Sequence, residues 1–237
     1  MSQRSVVWDL PVRLFHWLLV AAITFAVVAG KIGGDWIVWH GRAGLFIVGL
    51  VSFRVVWGFV GSPTARFASF VRGPAAIRAY LRGEWQGIGH NPLGALSVLA
   101  LLVLLATQAG TGLFANDDIA FQGPLADLVG KDTSNALSGV HHLLAKALYA
   151  LVAVHLLAIA FYIRVKRENL LKPMLTGWKN GDADQHPVPA PYSRIRGSAA
   201  FVAAALIAVA TVYMTTGGLL PPAPQPSAAV PAAAPGW

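Results

Sequence analysis

Cysteine is absent from all 237 residues. That excludes disulfides, thiolate-held iron–sulfur clusters and any cofactor tethered through a Cys-X-X-Cys-His motif, so a redox group here must be held non-covalently. Charge is scarce: 12% of residues are Asp, Glu, Lys or Arg, against 56% hydrophobic residues, and the mean hydropathy is +0.59. This balance excludes an ordinary soluble domain and places the chain among polytopic membrane proteins. The sequence has no HExxH motif, which removes the commonest zinc-protease signature. It also shows no inverted repeat of the kind many transporters carry.

What the chain does have is five apolar runs, near Pro11–Gly30, Val38–Val60, Pro92–Leu113, Gly139–Ile163 and Ser198–Leu220. Each is long enough to cross a bilayer as a helix. The expected fold class is therefore all-α and polytopic. Residues 1–165 form a four-helix core, 166–197 a basic loop, 198–220 a fifth transmembrane helix, and 221–237 a disordered Pro/Ala-rich tail with six of the 15 prolines. Asp9 and Pro11 mark the first helix entry. A signal peptide competes for that run, but His16 and Trp17 would sit in its apolar core. The arginine-rich connection 61–90 has room for a short interfacial helix near Pro74–Arg82. The connection before the fourth run carries Asp117, Asp118, Asp127 and Asp132.

Positive charge sets the expected orientation. The start, the region from Arg54 to residue 90 and the segment 164–196 hold 14 of the 18 Lys and Arg, whereas Lys31, Arg42, Lys131 and Lys146 fall on the other side. The positive-inside rule then puts the N-terminus in the cytoplasm and the tail outside.

Ionisable side chains inside spans usually mark function, and the fourth run carries three histidines. His141 and His155 are 14 residues apart. That is about 1400° of helix, roughly 40° short of four turns, so they share a face about 21 Å apart along the axis. His142 lies about 140° from His155 around the helix and faces elsewhere, as a surface group, a proton relay or a quinone contact. Two in-line imidazoles so far apart cannot share one ion. They suit two stacked cofactors, and haem iron accepts axial imidazole. Depth pairs His40 with His141, and more loosely His16 with His155. His90 and His186 fall in polar connections and are expected to be solvated. Glycines 30, 44, 58, 94, 110, 112 and 139 provide either room for a macrocycle or small-residue helix packing. Arg13, Arg42 and Arg54 serve either as partners for haem propionates or as interfacial anchors.

The segments VWDLPVRLFHWLL at 7–19, WHGRAGL at 39–45, GHNPLGAL at 89–96, TGLF at 111–114 and VHHLLAKALYALVAVH at 140–155 resemble the bacterial cytochrome b561 family, which is grouped with the b-type cytochrome subunits of nickel–iron hydrogenases. The resemblance covers roughly residues 1–165 and says nothing of the fifth helix or tail. It implies a four-helix bundle holding two non-covalent b haems by bis-histidine ligation. Carried over, the ligands are His16, His40, His141 and His155, paired His16/His155 and His40/His141. The family has one histidine, usually followed by an acidic residue, where this chain reads His141-His142; helix geometry favours His141.

The resulting expectation is an electron-transfer protein, or a subunit of an oxidoreductase, working between membrane quinone and a redox partner. Hydrogenase, a cytochrome c and a small oxidant such as superoxide are the candidate partners. The competing class is a non-redox membrane protein, either a transporter or an intramembrane metal-binding protein.

Overall fold

The computed structural model describes residues 2–85, 91–119, 121–182 and 194–219. His90, His186 and the tail 221–237 lie outside those residues. Five long helices dominate: α1 (Leu10–Ile32), α2 (Trp36–Val60), α5 (Pro92–Leu113), α6 (Lys131–Arg164) and α8 (Arg194–Thr215). All five are long and apolar enough to cross a membrane, and the protein is an all-α, polytopic membrane protein. Three short helices, α3 (Phe67–Phe70), α4 (Pro74–Leu81) and α7 (Leu171–Thr176), lie in the connections.

Local chemistry sets the boundaries. Asp9 caps α1, its Oδ1 accepting from Val12 N at 2.8 Å, with Pro11 in the first turn. The α1–α2 turn passes through Gly33 and Gly34 at φ +70° and +55°, a left-handed backbone that glycine adopts without strain. Asn91 caps α5 through Gly94 N at 2.7 Å, and its Nδ2 donates to Tyr162 Oη on α6, also at 2.7 Å. Asn91→Ala should lose the cap and the tertiary bond, about 1 kcal/mol each. The thermal midpoint in detergent should fall, and Asn91→Asp should recover about half the loss by keeping the cap.

Contacts along the helices fix an up-and-down order. The start of α1 meets the chain just after α6, where Arg13 Nη1 donates to Leu175 O at 2.5 Å. The start of α2 meets the end of α1, and the end of α5 meets the start of α6. α2 and α6 therefore run in the same direction, with α1 and α5 opposed to them. The face at which α1 begins is called the N face below. Phe15, Leu19, Ala22 and Ala26 of α1, Ala43, Ile47 and Val51 of α2, Leu102 and Leu105 of α5 and Leu148 of α6 form the central core.

Three features depart from the expectation. First, α6 starts at Lys131, eight residues before the apolar run. Its 34 residues span about 51 Å, beyond the ~30 Å hydrocarbon core. Asp132 therefore sits in the first turn of a helix, where a carboxylate favours the dipole, instead of in a loop. Ser134 and Ser138 extend the helix by holding the preceding connection: Ser134 Oγ donates to Phe114 O at 2.7 Å and Ser138 Oγ to Asn116 O at 3.0 Å.

Second, the polar start and the basic loop are not independent. Strands β1 (Ser2–Val6) and β2 (Trp178–Asp182) pair antiparallel, from Ser2 opposite Asp182 to Val6 opposite Trp178. Together with α7 this ribbon closes the N face.

Third, α8 starts at Arg194, inside the segment read as the basic loop. It packs on α2 through Ala204 and Ala208, with Val212 so close to Gly49 that a Cβ there would lie 3.0 Å from it. Phe53, Trp57 and Phe201 form an aromatic knot at the N-face end of this contact.

Candidate functional site

His40 and His141 come together from α2 and α6. Their ring centres are 6.0 Å apart and the rings are nearly perpendicular, at 87°. Each is oriented by a carbonyl of a neighbouring helix: His40 Nδ1 lies 2.8 Å from Ala26 O on α1, and His141 Nδ1 lies 2.9 Å from Gln108 O on α5. With Nδ1–H donating to a carbonyl, the free lone pair sits on Nε2, the tautomer that a metal-binding imidazole uses.

Two glycines allow these approaches. A Cβ on Gly30 would come within 2.9 Å of His40 Nδ1, and one on Gly112 within 2.9 Å of the His141 ring. Gly58 is used elsewhere, against Phe67, and Gly44, Gly110 and Gly139 would meet nothing within 4 Å. Gly44 lies one turn beyond His40, leaving open space beside that imidazole.

The second pair lies toward the N face. His16 is six residues inside α1 and His155 nine residues from the end of α6, about 9 and 14 Å in from their helix ends. The two side chains are within electrostatic reach of each other. His16 Nδ1 is buried without a hydrogen-bond partner, and Trp17 stands edge-on at 5.0 Å. His142 is exposed, 6.3 Å from the His141 ring.

Two further residues of the site, Gln108 and Thr111, were not singled out from the sequence. Gln108 Nε2 lies 3.1 Å from His141 Nε2, and Thr111 Oγ1 lies 3.3 Å from His141 Nδ1. A glutamine in the middle of an apolar span was the available signal. Its Oε1 is buried and unpartnered.

Of the three arginines, Arg42 is exposed and lies over the Trp39 ring at 4.5 Å, while Arg13 is tied to α7. Arg54 is only 3% exposed. The acidic connection is largely engaged internally. Asp117 Oδ1 accepts from Ile119 N and Phe121 N, Asp118 pairs with Lys131 at 3.1 Å, and Asp127 accepts from the Gln122 amide at 2.7 Å.

The residues fit a haem held by two imidazoles. With metal–nitrogen bonds of about 2 Å and each ring centre about 1 Å behind its nitrogen, two imidazoles on one ion stand roughly 6 Å apart, centre to centre. α6 packs chiefly on α5, and its His141 ring meets His40 of α2. Among the described residues, no three His, Asp or Glu cluster as a bare metal ion would require.

A helical membrane bundle that brings two imidazoles face to face between its helices fits a membrane cytochrome. The family model described as prokaryotic cytochrome b561 matches residues 7–177, and the chain belongs to that family. It is 28% identical over 213 residues to a probable Ni/Fe-hydrogenase B-type cytochrome subunit of Azotobacter chroococcum mcd 1, covering 73% of this chain and 87% of that protein. A probable Ni/Fe-hydrogenase B-type cytochrome subunit of Rhodobacter capsulatus is 26% identical over 220 residues, covering 76% of this chain and 82% of its own length. No solved structure matches the chain significantly. The protein is a multi-pass membrane b-type cytochrome that carries electrons through haem b.

Proposed function

We propose that the protein holds two haems b, one between His40 and His141 and one between His16 and His155, and passes electrons between the quinone pool and a redox partner. The observation that supports this reading is the approach of the His40 and His141 rings from α2 and α6, 6.0 Å apart. When bound, haem supplies one-electron chemistry at a potential set by its ligands and surroundings. The chain's part is to fix the imidazoles through Ala26 O and Gln108 O and to keep water from the bundle interior.

Quinone is the lipid-soluble carrier that reaches a buried cofactor edge from the bilayer. An apolar groove of about 370 Å³ between α1 and α2, lined by Leu18, Phe25, Trp39 and Phe46 with Arg42 at its rim, gives such a carrier an approach from the lipid. The second partner works at an aqueous face. The hydrogenase subunit names of the relatives favour a hydrogenase; a cytochrome c or superoxide is the alternative. The internal use of Asp117, Asp118 and Asp127 argues against the acidic connection as the docking surface for a basic partner.

The test is stopped-flow mixing of the reduced protein in nanodiscs with a short-chain quinone. Both haems should oxidise on the millisecond-to-second scale; no response to quinone or quinol would refute the quinone half of the proposal.

The N face is assigned to the cytoplasm of a bacterial inner membrane, with the tail in the periplasm, because 14 of the 18 basic residues lie on that side. The absence of native cysteine makes this easy to check. In intact cells an impermeant maleimide should label Asp127→Cys and spare Thr176→Cys. The reverse pattern would invert the topology.

A further inference from the structure

We propose that Arg54 anchors a haem propionate at the level of His16 and His155. This rests on the two-haem reading and adds a residue to it. Arg54 follows His40 on α2 by 14 residues, the same step that separates His155 from His141 on α6. The two helices run in the same direction and their first histidines are level, so Arg54 lies at the depth of His155. It is turned only about 40° from His40 around α2 and faces the same interior.

The guanidinium is almost wholly buried, at 3% exposure, and Nη1 has no hydrogen-bond partner. Phe67 covers it, with the ring centre 4.9 Å from Cζ. Phe67 is itself pressed onto Gly58, where a Cβ would lie 2.1 Å from the ring. Asp9 is within electrostatic reach but already engaged: Val12 N donates to Oδ1, and Trp57 Nε1 and Ser62 Oγ donate to Oδ2. Among the described residues no carboxylate comes within 4.0 Å of Arg54.

A buried, unpaired cation in an apolar helix is strongly unfavourable unless an anion joins it. A planar fork of N–H donors suits a carboxylate. Haem b carries two, and the place of this arginine, level with a second histidine pair and toward the N face, suits one of them. A lipid phosphate shares the anionic chemistry, and the experiment separates the two.

The experiment measures haem per chain and midpoint potentials for the wild type, Arg54→Gln and Arg54→Lys. Fewer than two haems in the wild type would overturn the two-haem reading before any variant is made. Given two, Arg54→Gln should keep the haem at His40 and His141, which reports an intact fold, and lose the other or hold it at a lowered potential. Arg54→Lys keeps the charge and should retain both. Arg54→Gln with two haems at wild-type potentials overturns the proposal, as does loss of a co-purifying phospholipid with both haems kept. If Arg54→Gln does not accumulate, wild-type apoprotein is loaded with haem or with its dimethyl ester. Two haems but only one ester per chain supports a propionate contact, and two esters at equal affinity overturns it.

Discussion

Replacing His141 with alanine is expected to leave a protein with one haem, whereas His142→Ala should keep both. The two residues are neighbours, yet only His141 is turned inward. Its ring is 6.0 Å from His40, its Nδ1 is held 2.9 Å from Gln108 O, and the His142 ring is exposed. Loss of one axial imidazole in an apolar interior leaves an open coordination position and removes the main hold on a non-covalent cofactor. The haem proposed at His16 and His155, about 21 Å away along α6, would share no ligand with it and should remain. The measurement is the haem-to-chain ratio with the reduced α-band spectrum. Retention of both haems in His141→Ala, with loss of one in His142→Ala, would show that α6 presents the other imidazole.

Nearly as large an effect is expected at two glycines packed against the histidine rings. Gly112→Val and Gly30→Val should each weaken binding of the same haem by about 10–100-fold, the range for losing an outer partner of a metal-bound histidine. A Cβ at Gly112 would lie 2.9 Å from His141 Cε1, and one at Gly30 would lie 2.9 Å from His40 Nδ1. Valine adds two methyl groups beyond that point, so the ring must swing away and give up its bond to Gln108 O or Ala26 O. Gly139→Ala is the control, since a Cβ there meets nothing within 4 Å. Haem transfer to apomyoglobin, followed by absorbance, gives the relative affinities. Equal rates for all three variants would mean the glycines serve only helix packing.

The parts of this site that were legible in the sequence follow from helix periodicity. A 14-residue step returns to nearly the same side of a helix, so His141 and His155 declare a common face without any knowledge of their neighbours. Apolar run length and the distribution of Lys and Arg gave the spans and their alternation for the same local reason. What surrounds the histidines was not legible, because it depends on pairing between distant residues. Gln108 meets His141 across 33 positions, and Ala26 meets His40 only once α1 and α2 have turned back through Gly33 and Gly34. The ribbon of Ser2–Val6 with Trp178–Asp182 closes a loop of most of the chain, and neither strand alternates clearly enough to announce itself. The seating of α8 on α2 rests on Ala204, Ala208 and Gly49, small residues that carry no directional signal in an apolar run. The earlier start of α6 was hidden because Asp132, Ser134 and Ser138 look like loop residues until Phe114 and Asn116 supply their partners.

If four histidines bind two haems, the haem stoichiometry must follow the histidines one by one. Pyridine haemochrome absorbance on the purified protein, set against chain concentration from amino-acid analysis, should give two haems b per polypeptide. It should fall to one in His40→Ala and to one in His16→Ala. One haem or none in the wild-type protein, with the chain folded and monodisperse, would contradict the account.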